Sequence, residues 1–204
     1  MEGLAAIWRL DADGAAAWYE GASTLEERWG SHRVELAGDA FLQVNREVAA
    51  KLEAYVLEHC GDVVGQRIID AYCGFGLRAL DLAWKGARVV GIDTEEHAIA
   101  TAHEKAVESG ATARFVAAPL ERALFHELPA DLVLLNPPRS GVSEEVLEGL
   151  LKKPPARVIY VSCDPATLAR DLKKLGEKFQ VSACRAFDMF PQTAHVETVV
   201  TLTR

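Results

Sequence analysis

The sequence contains 204 residues, of which 50% are hydrophobic and 25% are charged, a composition typical of one folded domain with a substantial apolar core. Its formal net charge of −8 at pH 7 argues against a broadly basic surface for nucleic acid, so a nucleic-acid role would need a local basic patch. Because we find neither an apolar run of ~18 residues nor a leader pattern, we expect a cytoplasmic protein without a membrane partner.

The first part of the chain is the least regular. Residues 7–21, IWRLDADGAAAWYEG, predict a β-hairpin that turns at Asp13-Gly14, since Asp-Gly pairs favour tight hairpin turns. A helix is predicted over residues 45–61, where Asn45 is a suitable cap. We interpret residues 1–40 as a short accessory cap on a domain that covers residues 41–204.

From residue 67 onward, apolar runs that end in turn residues alternate with helical patterns. This alternation predicts five strand–helix units and therefore an α/β fold with a mostly parallel sheet. The last two extended stretches have no helix between them, which predicts an antiparallel hairpin at the sheet edge. The predicted strands are RIIDAY (67–72), ARVVGID (87–93), ARFVAA (113–118), DLVLLN (131–136) and RVIYVS (157–162), followed by FQVSACRAFDMF (179–190) and HVETVVTLTR (195–204).

A glycine turn follows the first of these strands, in DAYCGFG (70–76). Gly74 and Gly76 would let the backbone approach a ligand closely, and the missing third glycine of a dinucleotide fingerprint favours a smaller nucleoside cofactor. Asp93 ends the next strand 23 residues after Asp70, close to the ~20-residue offset at which an acid meets ribose hydroxyls. This pair suggests S-adenosylmethionine, and a plain strand-to-helix turn is the alternative.

The loop NPPRSG (136–141) follows the fourth predicted strand. Two prolines can continue neither a strand ladder nor a helix, so they hold the loop rigid at the carboxyl edge of the sheet, where open α/β sheets bind ligands. A simple strand terminator is the alternative interpretation.

The stretch YVSCDPAT (160–167) places Cys163 directly before an Asp-Pro pair. Asp164 is a good N-cap and Pro165 a good first helical residue, so Cys163 is predicted at a helix N-terminus, where the dipole favours the thiolate. The adjacent Asp164 charge opposes this effect, and a buried structural cysteine is the alternative. The chain has no CxxC pair, which argues against zinc and disulfides; its other cysteines are Cys60, Cys73 and Cys184.

Six motifs occur in one order: FLQVN (41–45), DAYCGFG, GID, NPPR, YVSCDPATLARDL and DMFPQTAHVE. On these motifs, the chain from residue 41 to its end resembles the catalytic domain of the RNA 5-methyluridine methyltransferase family. The resemblance implies a Rossmann-like class I methyltransferase fold with a seven-stranded sheet and S-adenosylmethionine as methyl donor. It also implies methylation of carbon 5 of a uridine in tRNA or rRNA.

The resemblance further implies roles for individual residues. Cys163 would add to carbon 6 of the uracil ring, and Glu197 of the HVE motif would remove the proton from carbon 5. The implied cofactor-binding residues are Gln43, Asp70, Tyr72, Gly74, Gly76, Asp93 and Asn136.

Several positions depart from the family pattern. Leu77 stands where an asparagine often contacts the cofactor, Asp93 where glutamate is usual, and Asn136 where aspartate is usual. Full-size members usually carry an N-terminal RNA-binding TRAM domain, whereas residues 1–40 look like a remnant of a central domain. We therefore expect RNA recruitment through a small RNA element, a dimer or an RNA-binding partner, or else a changed substrate.

Two other functions stay open at this point. Asn136-Pro-Pro resembles the motif with which amino-group methyltransferases hold an NH₂ nucleophile, and Cys163 would then be dispensable. Alternatively, the chain could be a cofactor-binding protein without turnover.

Overall fold

The computed structural model describes residues 6–10, 16–29, 32–36, 45–193 and 195–204. The internal contacts of the chain separate into two units, residues 1–46 and residues 47–204. No helix within the described ranges is both long enough and apolar enough to cross a membrane.

The described residues of the first unit form two antiparallel strand pairs. Strand β1 (Ala6–Leu10) pairs with β2 (Ala16–Gly21), which confirms the strands of the predicted hairpin, although the Asp13-Gly14 turn lies outside the described residues. The pair β3 (Leu25–Trp29) and β4 (His32–Leu36) was not predicted. The Gly-Ser pair between these two runs is a hairpin signal that could have revealed them.

The rest of the chain alternates strands and helices as predicted. The helices are α1 (Arg46–Cys60), α2 (Leu77–Trp84), α3 (Glu96–Ser109), α4 (Leu120–Glu127), α5 (Glu144–Lys152) and α6 (Pro165–Leu175). The strands are β5 (Arg67–Ala71), β6 (Arg88–Asp93), β7 (Ala113–Ala117), β8 (Leu132–Leu135), β9 (Arg157–Ser162), β10 (Gln180–Phe187) and β11 (Glu197–Thr203).

These strands form one seven-stranded sheet in the order β10-β11-β9-β8-β5-β6-β7. Strands β5 to β9 pair in parallel, whereas β11 is antiparallel to both β9 and β10. The predicted mostly parallel sheet with a C-terminal antiparallel hairpin is therefore confirmed. The last strand lies between β9 and β10, and this position brings the start of β11 to the end of β9.

Both faces of the sheet are covered, which explains why its central strands are continuous apolar runs. Helices α1, α2 and α3 bury one core with residues such as Leu52, Leu80 and Ile99. Helices α4, α5 and α6 bury the other core with Leu124, Leu147 and Leu168. Neighbouring strand residues alternate between the cores, because successive side chains of a strand point to opposite faces.

Candidate active site

The carboxyl ends of the parallel strands meet at one edge of the sheet, where α/β sheets bind ligands. This edge carries the residues that follow β5, β6, β8 and β9, namely the glycine turn, Asp93, Asn136 and Cys163. Because β11 runs in the opposite direction, its first residue, Glu197, lies at the same edge. Gln43 lies outside the described residues.

The glycine turn begins at Tyr72, whose φ of 62° ends strand β5. The amide of Tyr72 donates to the carbonyl of Ile92 at 2.8 Å, and the amide of Gly74 donates to Oδ2 of Asp93 at 2.8 Å. Gly74 has a φ of 53°, and a Cβ there would meet no atom within 4 Å. The turn is thus held from β6 and has open space over Gly74.

Gly76 is needed for a different reason. Its φ is 69°, and a Cβ added there would lie 2.3 Å from Cε1 of Phe115 and 3.0 Å from Cβ of Ala102. The residue is buried, and it lets the start of α2 pack closely against β7 and α3. The close packing and the positive φ each favour glycine at this position.

Asp70 is buried beneath the turn, with only 1% of its surface exposed. Arg78 lies 3.9 Å from its Oδ1 and donates two hydrogen bonds of 2.8 Å to Glu53 on α1. Burial raises the pKa of Asp70 to about 6, although the charge of Arg78 opposes this effect. Oδ1 accepts no hydrogen bond from any described residue, so the negative charge of the ionised carboxylate is poorly stabilised by hydrogen bonds.

Asp93 is half-buried at the end of β6 and presents a carboxylate beside the turn. Its Oδ1 accepts from the amide of Glu95 at 3.1 Å, while Oδ2 binds Gly74. A carboxylate oxygen has more than one acceptor position, so both oxygens can still accept hydroxyl hydrogen bonds. These acceptors, the open space over Gly74 and the exposed Asn136 fit a cofactor that carries a ribose.

Cys163 lies at the N-terminus of α6, as predicted. The side chain of Asp164 caps the helix by accepting from the amide of Thr167 at 2.8 Å, and Pro165 is its first residue. The local backbone lowers the pKa of the thiol, in the direction predicted for a helix N-terminus, but larger effects oppose it. Burial and the carboxylate of Glu197 raise the pKa of the Cys163 thiol, and the charge of Arg139 offsets this only in part.

The start of β11 brings Glu197 to Cys163. Thr198 pairs with Ser162 in the register of β11 and β9, and one step further along both strands stand Glu197 and Cys163. Glu197 is only 6% exposed, and burial raises the pKa of its carboxyl group while the charge of Arg139 lowers it. The structure therefore couples two groups that are 34 residues apart in sequence.

Arg139 is the site residue that the sequence analysis missed. It belongs to the quoted NPPR motif, and its guanidinium charge lowers the pKa of Cys163, of Asp164 and of Glu197. An arginine directly after a rigid Pro-Pro pair at the carboxyl edge of a sheet was the available signal. Arg139 can stabilise the thiolate of Cys163 and the ionised Glu197.

A cavity of about 720 Å³ lies beside this site, between Tyr72, the loop 138–144 and one face of α6. Its charged lining is mixed, comprising Arg170, Lys173, Lys174, Glu121, Glu144 and Glu177. Lys174 is already paired with Glu144 at 2.8 Å, and Arg170 with Asp171 at 2.8 Å. The cavity therefore does not form a broadly basic surface.

Residues 30–204 match the family model described as tRNA (uracil-5-)-methyltransferase. An uncharacterized RNA methyltransferase of Gloeobacter violaceus is 39% identical over 186 residues, which are 90% of this chain and 40% of the relative. A second one, from Thermosynechococcus vestitus, is 37% identical over 90% of this chain and 42% of its own length. The chain thus spans about two fifths of the length of these relatives.

Solved structures agree with the predicted fold. The tRNA (uracil-54, C5)-methyltransferase of Pyrococcus abyssi, in complex with S-adenosyl-L-homocysteine, has a TM-score of 0.79 and 32% sequence identity, covering 93% of this chain and 47% of that one. Magnesium protoporphyrin IX methyltransferase of Synechocystis has a TM-score of 0.57 and 22% identity over 78% of this chain and 79% of that one, which shows the fold alone. The fold is that of class I S-adenosylmethionine-dependent methyltransferases.

Proposed function

Because the chain belongs to the tRNA (uracil-5-)-methyltransferase family, we propose that it methylates carbon 5 of a uridine in RNA, with S-adenosylmethionine as donor. The observation that supports this most is the convergence of Cys163, Glu197 and Arg139 at the sheet edge that also carries the glycine turn. Residues 41–204 are the proposed catalytic domain, with residues 1–40 as its accessory cap.

The cofactor would be held by the residues at the ends of β5, β6 and β8. Asp93 offers acceptors for ribose hydroxyls, Gly74 leaves room for the ligand, and Tyr72 and Asn136 flank the same edge. Asp70 would act from below the turn, Gly76 would end it, and Gln43 completes the proposed set by position in its motif. When bound, S-adenosylmethionine supplies an electrophilic methyl group and is released as S-adenosylhomocysteine.

Uracil carbon 5 is too weak a nucleophile by itself, so the proposed reaction begins with the thiolate of Cys163. Its sulfur forms a bond to carbon 6, and the electron pair of the 5,6 double bond moves onto carbon 5 and the O4 carbonyl. After carbon 5 has gained the methyl group, Glu197 removes the carbon 5 proton. The electron pair of that C–H bond restores the double bond, and the sulfur leaves as thiolate.

Burial and two charged groups of the site affect both steps. Arg139 provides the positive charge that stabilises the attacking thiolate, because it lowers the pKa of Cys163 against the opposing effects of burial and Glu197. Burial raises the pKa of Glu197, which makes this carboxylate a stronger base than an exposed one. The ring adduct would therefore form beside a base that is already poised for the proton.

We propose tRNA as the RNA, because the family model and the Pyrococcus abyssi structure are both described by tRNA. The net charge is −8 and the cavity beside the site has a mixed lining. Because neither the whole chain nor this cavity is broadly basic, a second copy of the chain or an RNA-binding partner would contribute to holding the RNA.

The test uses RNA that contains 5-fluorouridine, with S-adenosylmethionine present. Fluorine replaces the proton that Glu197 would remove, so the reaction stops at the covalent adduct. Mass spectrometry of digested protein should place the methylated nucleotide on Cys163, and the adduct should be absent in Cys163→Ala. Cys184→Ala is the matched control at an exposed cysteine and should form the adduct as the wild-type protein does.

The competing reactions give different results. Turnover that survives in both Cys163→Ala and Glu197→Gln would indicate instead that the protein methylates a substrate amino group held by Asn136. Cofactor binding without methylation of a complete tRNA pool would indicate a binding protein and would contradict the proposal.

A further inference from the structure

A buried carboxylate on α6 joins the three elements that surround the site. Asp171 is completely buried, and its Oδ2 accepts from the hydroxyl of Tyr160 at 2.7 Å and from the amide of Val142 at 2.9 Å. Tyr160 lies on β9 three residues before Cys163, and Val142 ends the loop 136–142 that contains Arg139. One oxygen atom therefore ties this loop and β9 to α6.

The other oxygen of Asp171 fastens the same loop through Arg170. Oδ1 accepts from Nε of Arg170 at 2.8 Å, and Nη2 of Arg170 donates to the carbonyl of Ser140 at 2.9 Å. A longer bond of 3.4 Å runs from Nη2 to the carbonyl of Val142. The loop backbone is thus held both by its amide and by its carbonyl groups.

The loop packs tightly against Arg170 and Asp171. Gly141 has a φ of 76°, and a Cβ there would lie 2.6 Å from Nη2 of Arg170 and 2.6 Å from Oδ2 of Asp171. The amide of Gly141 donates to the carbonyl of Pro138 at 2.9 Å, which closes a turn with Arg139 at its first central position. The orientation of Arg139 therefore depends on how this turn sits on Asp171.

We propose that Asp171 is a positioning residue: it holds the loop 136–142 against β9 and α6 and thereby sets the Arg139 guanidinium beside Cys163 and Glu197. A buried carboxylate is seldom more stabilising than a well-packed apolar group, but its directional hydrogen bonds define one geometry. The effect on turnover rests on the proposed function. The effect on the Cys163 thiol does not, because it can be measured without RNA.

The first experiment follows alkylation of Cys163 by iodoacetamide as a function of pH, in a Cys184→Ser background and with mass spectrometry as readout. The charged groups that act on the thiol are Glu197 from β11 and Arg139 from the loop, and Asp164, the N-cap of α6, follows it in the chain. Since Arg139 lowers the pKa of Cys163, Arg139→Gln should move the midpoint of the alkylation profile to higher pH.

Asp171→Asn should move the midpoint in the same direction, because an amide has only one acceptor oxygen: the NH₂ group must face either the donors to Oδ2 or Arg170, and both sides hold the loop. In the double variant with Arg139→Gln the midpoint should move no further than in Arg139→Gln alone, as expected when one residue acts through the other. Tyr160→Phe removes the hydrogen bond to β9 but leaves the bonds from Asp171 and Arg170 to the loop, so its midpoint should move less than that of Asp171→Asn.

The proposal is overturned if Asp171→Asn leaves the midpoint unchanged, if its shift adds to that of Arg139→Gln, or if Arg139→Gln itself causes none. Should Asp171→Asn fail to fold, Gly141→Ala displaces the same loop and should show the same shift.

A second measurement reads turnover. With tRNA as substrate, kcat of Asp171→Asn should fall about 10- to 100-fold, the effect of small misplacement of a reacting group. An unchanged kcat would refute the positioning role. If the wild-type protein does not methylate RNA at all, the proposed function fails, whereas the alkylation profiles still decide the role of Asp171.

Discussion

The buried Asp70 leads to a prediction about folding stability. An ordinary aspartate ionises at a pKa near 3.8, and burial raises the pKa of Asp70 to about 6 despite the neighbouring Arg78. The folded state therefore holds this proton more tightly than the unfolded chain does. The stabilisation that comes from binding this proton is complete below the ordinary pKa of 3.8 and is lost as the pH rises through about 6.

The size of the effect follows from the difference in pKa. A difference of one corresponds to ~1.4 kcal/mol, so ionised Asp70 lowers the free energy of unfolding by about 3 kcal/mol near pH 8. Asp70→Asn removes this titration but also alters hydrogen bonding at the site by an amount that does not depend on pH. We therefore expect the free energy of unfolding of the variant, measured relative to the wild type, to increase by about 2 to 3 kcal/mol as the pH rises from 4 to 8.

Urea unfolding of both proteins at a series of pH values measures this quantity, because titrating groups that do not interact with Asp70 cancel in the comparison. Glu58→Gln, at an exposed position of α1, is the control for loss of a carboxylate. A difference between Asp70→Asn and the wild type that is the same at both ends of the pH range would refute the reasoning. It would mean that Arg78 compensates the buried charge fully.

Two further predictions concern the site and its supporting turn. Glu197→Gln removes a charge that raises the pKa of Cys163, so iodoacetamide should alkylate this thiol faster near pH 7.5 in a Cys184→Ser background. Methyl transfer should be lost in the same variant. An unchanged alkylation rate would show that the two groups are not coupled. Gly76→Ala should lower the free energy of unfolding by about 2 to 5 kcal/mol, because the new Cβ would lie 2.3 Å from an aromatic ring and φ is positive. The new Cβ of Gly74→Ala would meet open space, so the free energy of unfolding should fall only by the ~1 to 2 kcal/mol that a side chain costs at positive φ. Equal losses for the two variants in urea unfolding would contradict the packing argument.

Local sequence signals predicted much of the fold. Each strand–helix unit was visible because apolar runs and turn residues report secondary structure within a short window. The predicted strands extended one residue too far at Tyr72 and Asn136, since the chain turns there to reach the sheet edge. The hairpin β3/β4 was missed, and the position of β11 between β9 and β10 could not be predicted because strand order depends on pairing between distant residues.

For the site, the sequence by itself determined the groups whose setting is local. The Asp-Pro pair places Cys163 at the start of α6, because capping and the fixed φ of proline act within one turn of helix. Only the tertiary structure decided what surrounds that thiol. The register of β11 brings Glu197 to it, and the loop held by Asp171 brings Arg139. Burial and Glu197 raise the pKa of the thiol against the effect of the helix N-terminus, since electrostatic interactions depend on distance in space and not along the chain.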